Sequence, residues 1–114
     1  MAFRCEADRF ETEAQAIAGI EAAGMHALAF DFPAKQGDWH WHDFDSEVWV
    51  VSGTLGVVFE GSDDIVSFPA GTRIIAPARV IHREIHDDYR AVIGFAIDPA
   101  TLTQPIDKPP ADLG

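Results

Sequence analysis

A chain of 114 residues can form one domain with a modest core, burying about 65% of its unfolded surface, and is too short for a second independent one. Its composition, 47% hydrophobic with three Trp and eight Phe, is globular and excludes the class of chains too polar to collapse. Nineteen acidic residues against eight basic ones give a formal charge of −11, which repels phosphate backbones and anionic headgroups and argues against nucleic acid or a membrane surface as partner.

The first residues, Met1 to Asp8, contain no apolar h-region, and nowhere do about 18 apolar residues run together. Cys5 is the single cysteine, so an intramolecular disulfide and a thiolate zinc cluster are both ruled out. The expectation is a soluble protein of the reducing cytoplasm. Thr12-Glu13-Ala14-Gln15 reads as a capping box opening a short helix that runs towards Ala23 and stops at Gly24. Ile17, Ile20 and Ala23 would form its buried stripe, and Gly19 costs it about 1 kcal/mol relative to Ala.

After Gly24 come short runs rich in Val, Ile, Phe and Trp, broken every six to twelve residues by turn chemistry. Strands are expected at Met25–Phe32, Asp38–His42, Glu47–Val51, Leu55–Glu60, Ile65–Phe68, Arg73–Ile75, Val80–His86 and Arg90–Ile97. This spacing predicts an all-β sandwich or closed barrel of antiparallel strands. Beyond Asp98, four prolines and few large apolar groups preclude a central strand. The organisation expected is therefore a helical segment over 1–24, a β-domain over 25–97 and a Pro-rich tail over 98–114, all within one domain.

His40-Trp41-His42 carries the chemistry. Residues two apart in a strand share a face, so both imidazoles can reach one ion. Glu47 follows across a short loop with a carboxylate, and His82 begins another strand after the turn at Pro77. Such a set of three nitrogens and one oxygen suits a divalent transition metal: iron, manganese, cobalt, nickel or zinc.

These residues resemble the two motifs of the cupin family. The first motif is Gly, five residues, His-x-His, three or four residues, Glu, six residues and Gly; it is similar to Ala34 to Gly53, with His40, His42 and Glu47 in the ligand places. The second, Gly, five residues, Pro-x-Gly, two residues, His, three residues and Asn, resembles Gly71 to His86, with Pro77 and His82 in register. Ala34 replaces the leading Gly, the interval from Glu47 to Gly53 is one residue short, Arg79 replaces a turn Gly and His86 replaces the Asn. The resemblance covers about residues 26–97. It implies a cupin-type β-barrel of jelly-roll form holding one divalent metal ion (Fe, Mn, Ni or Zn), and commonly a homodimer.

Face parity extends the reading. With His40 and His42 inward, Trp39 and Trp41 point outward and need cover from the helix or a second subunit. Trp49 and Val51, sharing Glu47's face, would wall the substrate pocket. Glu84 and His86 share the face of His82. Glu84 is a candidate catalytic acid or base if it faces an apolar cavity, or a solvated residue at its mouth. His86 reads as a donor orienting a ligand or as a rim residue, His26 as a structural strand residue, and Arg79 as a solvated turn residue or a greeter of anions. The resemblance implies an enzyme of dioxygenase, isomerase or decarboxylase type acting on a small organic substrate. A non-catalytic ligand-binding or sensing module, and a barrel with a purely structural metal, remain alternatives.

Overall fold

The computed structural model describes residues 3–98 and Lys108. The expected tail therefore lies outside the described residues except at Asp98 and Lys108. Nine strands are described: β1 (Arg4–Glu6), β2 (His26–Phe32), β3 (Lys35–Gln36), β4 (Ser46–Ser52), β5 (Thr54–Phe59), β6 (Val66–Pro69), β7 (Arg73–Ala76), β8 (His82–His86) and β9 (Tyr89–Phe95). They form two antiparallel sheets, ordered β1-β7-β4-β9-β2 and β3-β8-β5-β6, a jelly-roll fold with one helix, α1 (Glu13–Ala22).

The helix starts where its capping chemistry predicts. The Thr12 side chain accepts from the Gln15 amide at 3.2 Å, and Gln15 Oε1 accepts from the Thr12 amide at 3.2 Å. It ends at Ala23, followed by Gly24 in the left-handed region at φ 80°. Its buried stripe is Ala16 and Ile20; Ile17 is half-buried at the margin, and Ala23 is exposed.

Two of the strands, β1 and β3, are very short edge pieces that carry no alternation long enough to read. The segment expected as a strand at Asp38–His42 pairs only at single residues, His40 with His82 and Trp41 with Lys108, and forms no ladder. At Gly53 the chain passes from β4 in one sheet to β5 in the other, at φ 76°, where a Cβ would stand 2.7 Å from the Asp88 carbonyl oxygen. Only glycine suits that corner.

The alternation of β4 sets both cores. Ser46, Val48 and Val50 face the space between the sheets, where Val50 joins Leu55, Val57, Ile74 and Ala91. Glu47 and Trp49 face the other way, and Trp49 packs with Ala16, Ile20 and Val92 beneath the helix. The helix comes so close there that a Cβ on Gly19 would lie 2.5 Å from the Trp49 ring. That contact accounts for a glycine in mid-helix.

Candidate metal centre

Antiparallel pairing brings the first two histidines together. His40 and His82 exchange backbone hydrogen bonds of 2.8 and 2.9 Å, so their side chains rise side by side with ring centroids 4.4 Å apart. His42, two residues on, stands 5.1 Å from the His40 ring and 5.3 Å from the His82 ring. One ring nitrogen from each of the three lies within 4.8 Å of the others. Nδ1 of His40 donates to the Asp38 carbonyl and Nδ1 of His82 to the Val80 carbonyl, both at 2.8 Å. Those bonds orient both rings and turn each Nε2 towards the centre.

The carboxylate beside them comes from Glu84. On β8, His82, Glu84 and His86 share the inner face, and Glu84 places Oε2 3.3 Å from His40 Nε2 and Oε1 3.6 Å from His82 Nε2. Burial alone would push the Glu84 carboxyl up; the imidazoles of His40 and His82 outweigh it and hold it well below the usual carboxylate range. Its Oε2 is buried yet makes no well-aligned hydrogen bond. Donor atoms sharing an ion at about 2.1 Å stand roughly 3.0–4.2 Å from one another, and both Glu84 distances fall in that interval. Three imidazoles with ring nitrogens this close together fit a divalent transition metal, and the Glu84 carboxylate stands beside two of them.

Glu47 is not part of this group. It faces the outer side of the sheet, where its oxygens accept from Arg73 Nε and Nη2 at 2.8 Å each and from Trp49 Nε1 at 2.9 Å. The expected ligand set is corrected accordingly. The one-residue shortfall between Glu47 and Gly53 is the physical reason: counting the motif back from Gly53 reaches Ser46, and Ser46 is the residue that faces inward. Trp49 and Val51 follow Glu47: Trp49 sits under the helix with Val51 packed against the same cluster, and neither lines the cavity. His86 does line it.

His42 and His82 open into a cavity of about 720 Å3 between the sheets. Its walls include several aromatic side chains that sequence reasoning left unassigned, among them Phe3, Phe32, Phe44 and Tyr89. The alternation Leu28, Phe30, Phe32 along β2 was the available signal for part of that wall.

The remaining assignments divide. Trp39 is half-exposed and sits under the Arg83 guanidinium, whereas Trp41 is buried, paired with Lys108 and covered by Arg79 at 5.6 Å from its ring. Its cover comes from the same chain. Arg79, expected in place of a turn Gly, adopts the left-handed conformation at φ 69°, and its amide donates to the His42 carbonyl at 2.8 Å. His26 is exposed at the start of β2.

No protein-family profile matches the sequence, and neither does any curated protein. Solved structures do. A cupin-2 domain protein from Shewanella frigidimarina is 25% identical with a TM-score of 0.51, over 59% of this chain and 65% of that one. This chain thus spans just under two thirds of its length. A DUF861 family protein from Thermotoga maritima is 9% identical with a TM-score of 0.60, over 82% of this chain and 99% of that one. KdgF from a Halomonas species is 22% identical with a TM-score of 0.51, over 67% and 73%. Fold and comparisons together define a small cupin-like domain.

Proposed function

We propose that the chain is a metal-dependent cupin-like enzyme acting on a small organic substrate, with His40, His42, His82 and Glu84 holding one divalent ion and the inter-sheet cavity receiving the substrate. The observation that carries this reading is the convergence of three imidazoles beside a buried carboxylate at the wall of a 720 Å3 cavity. Bound there, such an ion supplies Lewis-acid polarisation of a substrate oxygen or, as iron or manganese, redox chemistry. Around it, the Asp38 and Val80 carbonyls orient the ligating rings and the apolar walls exclude water. Glu84 is the group placed to take a proton from a substrate or to complete the ligand set. The alternatives of a non-catalytic binding module and a structural metal predict bound ion without turnover.

The test is elemental analysis of chain purified without affinity resin or chelator, alongside His82→Ala. About one equivalent of a first-row metal, lost in the variant while the fold persists, supports the site; equal metal in both would overturn it. Substrate screens on metal-replete protein then separate enzyme from binding module.

The homodimer reading moves with the residues. Since Trp41 is covered within the chain, support comes instead from β2, an edge strand carrying Leu28 and Phe30 exposed on one face. Light scattering at micromolar concentration should give a dimer for the parent and a monomer for Leu28→Lys, and a monomeric parent would remove the idea. No helix among the described residues is long and apolar enough to cross a membrane.

A further inference from the structure

The cavity beside the histidines has a composition that selects among small molecules. It draws aromatic rings from four separate stretches of the chain: Phe3 before β1, Phe30 and Phe32 on β2, Phe44 in the loop before β4, and Tyr89 and Phe95 at the two ends of β9. At the metal-ligand end, Phe3 stands edge-on to His82 at 4.8 Å and 68°, and Phe44 lies beside His42 at 5.8 Å and 30°. Farther along, Tyr89 stacks on Phe32 at 4.7 Å and 13° and meets His86 edge-on at 4.6 Å and 81°. Phe30, 38% exposed, marks where this wall reaches solvent.

Charge in the cavity is sparse. Among the described residues, Glu84 is the one carboxylate in its lining and Lys35 the one lysine or arginine. Apart from the histidines and any ion they hold, a phosphate or a polycarboxylate would meet Lys35 alone as a cation in the described lining, inside a chain of net charge −11. Aromatic walls reward a ring over a saturated skeleton of the same size, because edge-to-face and offset-stacked pairs add attraction beyond burial of area.

We infer that the cavity takes a flat aromatic compound free of phosphate, its ring system held between the Phe32–Tyr89 pair and the Phe3–Phe44 end beside the histidines. This rests on reading the cavity as the substrate side of the metal centre. The ring binding itself follows from the walls and does not require the ion.

The probes are 2-naphthol, its fully saturated analogue decahydro-2-naphthol, and 2-naphthyl phosphate, titrated calorimetrically into the full chain after dialysis against chelator and again after reconstitution with metal. Expected are binding of 2-naphthol at least tenfold tighter than of either comparison compound, in both metal states. Phe32→Leu and Phe44→Leu, which keep an apolar side chain in place, should each weaken 2-naphthol at least fivefold while leaving decahydro-2-naphthol within twofold. Equal binding of the saturated and aromatic probes, tighter binding of the phosphate, or no binding of 2-naphthol to folded protein would overturn the inference. His40→Ala, which removes a proposed metal ligand outside the cavity lining, separates the two readings: it should bind 2-naphthol while losing metal. Absence of metal from the parent, with naphthol selectivity intact, would sink the metal centre and leave the aromatic site standing.

Discussion

Glu47 and Arg73 make a bidentate pair on the outer face of the sheet, with Glu47 only 8% exposed and the Trp49 indole as a third donor. The Arg73 hydrogen bonds hold the Glu47 carboxyl below its ordinary value of 4.5, against the opposing push of burial. A carboxyl lowered by folding stabilises the fold above that ordinary value, and the stabilisation is lost as pH falls through the lowered folded value. Arg73→Met should therefore cost on the order of 2 kcal/mol at pH 7 by leaving a buried carboxylate uncompensated. The cost should shrink as the pH falls below 4.5, which urea midpoints at a series of pH values would show. An unchanged difference across that series would remove the pair from the stability account. The same residue shows how the sequence misleads at this scale. Counting forward from His42 reaches Glu47 and counting back from Gly53 reaches Ser46; with a side-chain period of two, that single residue exchanges the cavity for the outer face. The histidines had no such ambiguity, because His40 and His42 lie two residues apart in the first motif and His82 is in register with Pro77 in the second.

At the level of elements, the helix was legible from its capping box and its terminal glycine, and its packing was not. Gly19 looks like a defect in a helix until Trp49 is known to lie beneath it. Gly19→Ala should accordingly lower stability by about 1–3 kcal/mol through overpacking, although the same change favours an isolated helix by roughly 1 kcal/mol. A raised thermal midpoint for this variant would mean the contact yields easily. The turn before His82 offers a second test. Arg79 sits at φ 69° and also covers the Trp41 ring, so strain and contact oppose each other. Arg79→Gly relieves the strain while losing the contact, whereas Arg79→Ala keeps the strain and loses the contact. The glycine variant should match the parent, and the alanine variant should fall about 1 kcal/mol below it in denaturant unfolding. Equal values for the two variants would exclude backbone strain as a factor. The short strands β1 and β3 were invisible in the sequence because their pairing depends on partners distant in the chain, Arg73 to Ile75 and Ile85 to His86.

For the whole molecule, two antiparallel sheets leave between them an apolar cavity, which His42 enters from a loop and His82 from a strand, with His40 beside them. The all-β class and the helix could be read from spacing and turn chemistry, and the histidine cluster from the resemblance to the cupin motifs. The cavity wall could not, since it is assembled from Phe3 at one end of the described chain and Phe95 near the other. The central claim is that the carboxylate of the metal centre comes from Glu84 on β8 and not from Glu47 on β4. Manganese(II) titration of the parent, Glu84→Gln and Glu47→Gln tests it directly. Glu84→Gln should weaken binding at least tenfold while Glu47→Gln stays within twofold of the parent; the reverse order would contradict the account and return Glu47 to the ligand set.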